Sequence, residues 1–392
     1  MMEGDAQMKR AATFLLAACV AAGAFAGCGE AAASTSTPGS ESVPVSSSEA
    51  APTPEPTPRK PEQGRVELPF PVYDDVNPYT GLPKGEGYPQ GRRGVAVMIN
   101  NVKGALPQSG INSADILYEM VTEGGVTRLM ALYRDYESMP AVGPIRSARD
   151  QHVQLMLPLE PLYAHIGGSS YALDLLEIYR YTGSRAIDGK YKNFYWIDQE
   201  RRKTMDQDYC VYTDGPTLAA ALEKFGFDTA STYEPPQAFY FGRYDEPDRV
   251  LEGGAAHSVY IRFSGYTYSE FAFDEGTGRY MKYEFGGPQV DEADGGAQYG
   301  ADNLLVLFTD VEKYPGGILS KVDLSGQGYG YYFCNNSYEK VRWLKGAPND
   351  PLRIVALDGS EQDLVINPGT TYVAVVGLDQ FPNFKIDGEA VD

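Results

Sequence analysis

The sequence predicts an α+β protein, with a mixed α/β domain at about 66–235 followed by a β-rich domain at about 250–392. Three observations predict it. In the first domain, short apolar runs typical of buried strands alternate with segments that carry helix start and stop signals. In the second, β-prone runs and Gly-containing turns recur at short spacing without a helical period. Between them, Glu234-Pro-Pro-Gln237 and Glu246-Pro-Asp248 read as a linker or a crossing strand.

The elements of the first domain follow in order. Val95–Ile99 is a continuous apolar run and reads as a buried strand. Ile116–Thr122 and Val126–Tyr133 flank Gly124-Gly125 and read as a hairpin. A two-residue loop there pairs Glu123 with Val126 and Val121 with Arg128. Arg128 then shares a face with Glu119 and Glu123. Ser147, with Asp150 three residues on, starts a helix over Ala148–Leu157 that Pro158 stops. Leu162–Ile166 is a further strand. Gly167-Gly168-Ser169-Ser170 then leads into a helix over Tyr171–Tyr181, with Leu173, Leu176 and Ile178 as its apolar face.

The second domain reads as strands and turns. Val259, Ile261 and Phe263 alternate with polar residues, and Phe271 and Phe273 precede the turn at Asp274. Leu304–Phe308, Ile354–Leu357, Leu364–Ile366 and Tyr372–Val376 are strand runs, separated late in the chain by Asp358-Gly359 and Pro368-Gly369. A small twisted sheet or partial barrel is expected.

Ahead of both domains lies an address. Lys9 and Arg10 precede the uncharged run Ala11–Gly27, which ends at Phe25-Ala26-Gly27-Cys28. A basic start, an apolar stretch and small residues before a Cys read as a lipoprotein signal peptide over 1–27, with Cys28 as the lipidated residue. Leu16-Ala17-Ala18-Cys19 offers another cleavage pattern, but cutting there leaves an apolar core shorter than the roughly 7 residues such a signal needs. A transmembrane anchor is the other reading of the run. Met8 offers a second start that omits Glu3 and Asp5. Residues 28–65 are Pro-, Ser- and Thr-rich, as in Ala51-Pro-Thr-Pro-Glu-Pro-Thr-Pro58, and are expected to be a disordered linker. Its contour is on the order of 100 Å. The expected location is the extracytoplasmic face of the cell membrane, anchored through lipid.

A formal net charge of −20 argues against a nucleic-acid partner and against flat adsorption on an anionic membrane. After cleavage at Cys28, Cys210 and Cys334 remain, either as a disulfide or as two separate buried thiols. No CxxC or Cys/His cluster is present, so no metal site is expected, and no cofactor is assigned.

The polar residues that could carry chemistry concentrate between Asn100 and Ser170. Arg128 with Glu119 and Glu123 is either a surface ion-pair row or the wall of a cleft. Arg146 and Arg149 bracket a helix start, where cations oppose the helix dipole, so a negative group is expected beside them. That group is an internal carboxylate, Asp115 or Glu119, or a bound anion held by guanidinium forks. His165-Ile-Gly-Gly-Ser-Ser170 is either an anion-cradling turn or a plain strand-to-helix turn capped by Ser169 or Ser170. HExxH, Walker A and GxGxxG are absent.

These residues carry a resemblance. Asn77-Pro-Tyr-Thr-Gly-Leu-Pro83, Val95–Asn101, Pro107–Asp115, Glu123–Arg128, Gly143–Arg149 and His165–Gly168 are similar to the YerB-like lipoproteins. In the second domain Gly328-Tyr-Gly-Tyr-Tyr332, Val341–Lys345 and Ile366–Tyr372 are similar to that family's second part, although Tyr338-Glu-Lys-Val-Arg-Trp343 lacks the Gly that the family pattern expects near the Trp. The resemblance spans most of 75–378. It implies a surface lipoprotein built in two parts, with no catalytic residues to carry over. The function expected is a binding or accessory role at the cell envelope. Arg128, Arg146, Arg149, Glu119, Asp115 and His165 would form the ligand site, and the partner would be an anionic envelope ligand or an envelope protein. The alternative is an enzyme acting on wall-polymer phosphates or esters, with Asp115, Asp150 or His165 as acid or base.

Overall fold

The computed structural model describes residues 68–183, 185–189, 192–231 and 236–391, all within the compact unit Glu55–Asp392. The leader, Cys28, the linker to residue 65 and Glu234-Pro235 of the interdomain segment lie outside the described residues.

The chain is α+β. Its strands are β1 (Val95–Asn100), β2 (Ile116–Val121), β3 (Thr127–Tyr133), β4 (Leu162–His165), β5 (Ala186–Asp188), β6 (Ser258–Arg262), β7 (Tyr268–Asp274), β8 (Arg279–Glu284), β9 (Asn303–Thr309), β10 (Gly326–Cys334), β11 (Ser337–Lys345), β12 (Arg353–Val355) and β13 (Thr371–Gly377), besides shorter pairs. The helices are α1 (Asp150–Met156), α2 (Ser170–Ile178) and α3 (Gly215–Phe225). A ten-stranded sheet runs β12-β11-β10-β9-β13-β2-β3-β1-β4-β5. Its centre joins the two halves of the sequence, because β2 pairs in parallel with β13 from Ile116↔Thr371 to Met120↔Val375. The strands of the second half divide between this sheet and a smaller antiparallel one containing β6, β7 and β8.

Side-chain alternation along the central strands sorts the core into two layers. Ala96, Met98, Met120 and Met130 pack against Val153, Met156, Ala172 and Leu176 of α1 and α2. Val97, Ile99, Leu129 and Ala374 belong to the opposite layer, with Val259, Ile261 and Phe271 of the small sheet and Leu218 of α3. Strands buried on both faces explain why β1, β2 and β3 read as unbroken apolar runs.

Three local expectations change, and one open alternative is resolved. Helix α1 starts at Asp150 rather than Ala148, because Ala148 bridges to Gly168 and holds extended backbone before the helix. On α2, Leu176 is buried, but Leu173 and Ile178 are exposed; Ala172 and Leu176, four apart, form the inner face. Ile366 makes only an isolated bridge to Phe241 instead of extending a strand. Cys210 and Cys334 are separate buried thiols.

Candidate functional site

Strands β1, β2, β4, β5, β9 and β13 share one direction, since β1 and β2 both run antiparallel to β3 and the remaining pairs are parallel. Their carboxyl ends therefore gather at one edge of the sheet. In open α/β sheets ligands bind outside that edge, where neighbouring strands part. Such a parting occurs between β1 and β4. The two pair from Val95↔Leu162 to Val97↔Ala164, and residues 144–148 then enter between them. Asn100 N–H donates to Pro144 O at 2.8 Å and Arg146 N–H to Met98 O at 2.9 Å on one side. Ile166 N–H donates to Arg146 O at 3.1 Å and Ala148 N–H to Gly167 O at 2.9 Å on the other. Arg146 is thus carried on a wedge at the carboxyl edge.

Two further arginines meet at the β2–β3 hairpin, Arg128 from β3 and Arg149 from the start of α1. The hairpin's register is Met120↔Arg128 and Val121↔Thr127, one residue away from the expected pairing. A shift of one residue reverses the face. Arg128 lies on the α1 side with Met120 and Met130, while Glu119 lies on the other side with Thr127. The loop itself returns Glu123 to Arg128. Arg128 Nη2 donates to Glu123 Oε1 at 2.6 Å and Nη1 to Ser147 O at 2.8 Å. Arg149 donates through Nε to Glu123 Oε2 at 2.8 Å and through Nη2 to Oε1 at 2.7 Å. Its Nη1 donates to Ala148 O at 2.7 Å. Burial disfavours charge on Glu123, yet Arg128 and Arg149 outweigh it and hold the carboxyl down at about 2. Burial, with Arg149 close by, pulls Arg128 down to about 10. These two arginines direct their forks into the protein.

Arg146 differs. Its side chain is 29% exposed, and Nη1 donates at 2.6 Å to Asp208, which is largely exposed. Its Nε is buried without a hydrogen-bond partner among the described residues.

The other predicted residues do not join this cluster. Asp115 precedes β2, roughly 20 Å of strand away from Glu123. It accepts from Asn77 Nδ2 at 2.9 Å and from Arg134 N–H at 2.6 Å, and enclosure pushes its pKa up to about 6. His165 closes β4 at the same edge as Arg146, with Nδ1 2.9 Å from Gly167 O. Asp150 accepts from Tyr314 OH at 2.7 Å.

Glu119 belongs to a second, fully buried cluster that the sequence reading missed. Its Oε1 accepts from Asn101 Nδ2 at 2.8 Å and from Thr127 Oγ1 at 2.6 Å. Its Oε2 accepts from Ser269 Oγ at 3.1 Å and from Tyr372 OH, and lies 3.3 Å from Lys282 Nζ. Lys282 also pairs with Glu284. Burial opposes the charge on Lys282, but Glu119 and Glu284 together outweigh it and raise its pKa. The only sequence trace of this cluster is Lys282 and Glu284 two apart in a strand, which puts both on one face.

Among the described residues no group of three or more His, Cys, Asp or Glu side chains is placed to hold a metal. None of their helices is long and apolar enough to cross a membrane.

A two-part chain with this shared sheet defines a class, and the comparisons identify it. Residues 79–228 match the N-terminal domain, and residues 259–373 the C-terminal domain, of a family described as protein of unknown function (DUF3048). The chain belongs to that family, which includes the YerB-like lipoproteins. A relative from Bacillus subtilis (strain 168), provisionally named lipoprotein YerB, is 44% identical over 101 residues, covering 26% of this chain and 30% of that protein. The crystal structure of YerB from Bacillus subtilis shares the fold, with a TM-score of 0.64 at 23% identity over 76% of this chain and 96% of that one.

Proposed function

We propose that this protein is anchored by lipid at Cys28 on the extracytoplasmic face of the cell membrane and binds an anionic ligand of the cell envelope. The leader pattern and the lipoprotein relative support the anchor. One observation carries the site: Arg146 sits on the wedge between β1 and β4 with its Nε unpartnered and an exposed carboxylate as its ion-pair partner. An exposed ion pair contributes about 1 kcal/mol or less, so a phosphate or carboxylate can replace Asp208 on this guanidinium. Arg128 and Arg149 act as positioning residues that fix the wedge to the hairpin through Glu123. The arrangement favours binding: Asp115 lies at the far end of β2, and His165 and Asp150, although close to the wedge, are engaged by Gly167 O and Tyr314 OH.

The test is calorimetric titration of the purified chain, from residue 29 onward, with a glycerol-phosphate polymer and with a phosphorylated amino sugar. Arg146→Ala is expected to weaken binding at least tenfold, and Asp208→Asn to strengthen it by removing the internal competitor. Equal affinity in wild type and Arg146→Ala overturns the site, as does absence of binding to either probe.

A further inference from the structure

A second site lies on the central sheet, at the β10–β11 end and on the face that carries the small sheet. The register sets Tyr331 opposite Lys340 and Tyr329 opposite Arg342. Directly opposed residues share a face, so two tyrosines and two cations form one shelf. Beside it a cleft of about 380 Å³ is walled by Phe308, Tyr331, Leu357, Leu378 and Phe381, with Lys340 at its side. Past Tyr329 and Leu357 it continues into a second cleft of about 390 Å³ that includes Gln327, Arg342 and Asp358.

Three side chains around this opening leave large apolar surface in water: Tyr329 is 64% exposed, Leu378 45% and Leu357 44%. Scattered exposed apolar residues are ordinary, but several bordering one concave apolar wall mark a binding site. The charges stand to one side. Lys340 Nζ lies 5.9 Å from the Tyr331 ring centre, and Arg342 donates to Gln327 Oε1. Asp358 is the acid of the second cleft, exposed and with its pKa lowered, first by hydrogen bonds from Ser360 and also by Arg342. The first cleft is poor in polar groups, which suits a hydrocarbon better than a sugar. A second copy of the chain fits poorly as occupant, because each copy carries a formal charge of −20.

We propose that this cleft binds an amphiphilic anion, a single hydrocarbon chain ending in a phosphate or carboxylate. The chain lies between Phe308, Phe381 and Leu378, and the head group meets Lys340 and Arg342. This site is separate from the Arg146 edge and stands or falls independently of it.

Dodecyl phosphate below its micellar concentration is the probe, titrated into the chain from residue 29 onward, produced without lipid so that no tethered acyl group competes. Saturable one-to-one binding is expected, at least tenfold weaker for dodecanol and undetectable for inorganic phosphate. Leu378→Asp is expected to weaken dodecyl phosphate binding at least tenfold. The double variant Lys340→Glu, Arg342→Glu should weaken it similarly while leaving dodecanol unchanged. Both variants alter side chains with exposed surface, and an unchanged melting temperature confirms that each is folded. The proposal is overturned by non-saturable binding or by full affinity in folded Leu378→Asp. It is also overturned by a wild-type dimer that Leu378→Asp dissociates, which assigns the cleft to a second copy.

Discussion

At the scale of single residues, Glu123 decides how the arginines behave. It satisfies two guanidinium groups at once and is itself mostly enclosed. Removing one partner of a buried ion cluster leaves the others uncompensated, which costs about 3–5 kcal/mol. Glu123→Gln keeps the shape and loses the charge, so a destabilisation of about 3 kcal/mol at neutral pH is expected in urea melts. The pH dependence has a definite sign. The folded pKa, about 2, lies below the ordinary 4.5. The stabilisation is therefore complete above about 4.5 and is lost as pH falls from there toward 2. Wild type and Glu123→Gln should converge in stability over that acidic range; a constant difference would remove the charge from the explanation. The Glu123–Arg128 contact was legible because the two lie five residues apart around a turn. The role of Arg149 was half legible: the helix-dipole argument demanded a nearby negative group, but it pointed to Asp115, Glu119 or a ligand, and the partner is Glu123.

At the scale of elements, the hairpin shows why placement failed where type succeeded. Strand, loop and strand were all readable from β-prone runs around Gly124-Gly125. The face of Arg128 depended on whether the loop held two residues or three, and the pattern alone does not contain that count. In the structure Thr122 N–H donates to Val126 O at 2.8 Å, which closes a loop of Glu123, Gly124 and Gly125. The reason lies outside the hairpin. Gly125 O accepts from Ser264 Oγ and from Thr267 Oγ1, both in the turn between β6 and β7. Gly125 has φ +82°, and a Cβ there meets Ser264 Oγ at 3.1 Å. Gly125→Ala therefore combines an unfavourable left-handed backbone with a tight contact and should cost about 1–2 kcal/mol. The same change at Gly124, also left-handed at +62° but with open space around its Cβ, should cost less. Equal losses in thermal melts would place the whole effect in the backbone. Helix α1 followed the same logic: its end at Met156, just ahead of Pro158, is local, whereas its late start is set by the distant partner Gly168.

At the scale of the whole molecule, the α+β class was legible, but the sheet that runs through both halves was not. The pairing of Ile116–Met120 with Thr371–Val375 joins segments some 250 positions apart, and both strands are buried on both faces, so neither marks its neighbour. The buried polar cluster sits on this seam: Glu119 comes from β2, Tyr372 from β13, and Ser269, Lys282 and Glu284 from the small sheet. Two carboxylates and one ammonium sit there out of water, so one negative charge is in excess and a proton relieves it. Burial, opposed by Lys282 and reinforced by Glu119, pushes Glu284 up to about 7 from an ordinary 4.5. A raised acid pKa means the native state holds the proton more tightly than the unfolded chain. That stabilisation is complete below about 4.5 and is lost as pH climbs through 7, with a total on the order of 3 kcal/mol. Asp115, raised to about 6, adds to the lower part of the same window. Burial pulls His152 down to about 3 and Lys345 down to about 7, so both add stability as pH rises. Only the difference between wild type and a Glu284 variant therefore isolates Glu284. Glu284→Gln keeps a neutral side chain of the same length beside Lys282 and Ser269, so its stability relative to wild type should rise by about 1 kcal/mol between about pH 6 and 8. Urea titrations across that range read the difference directly. A difference between wild type and Glu284→Gln that stays constant across that range would remove the Glu284 proton from the explanation, because the variant leaves Glu119 and Lys282 as a neutral pair.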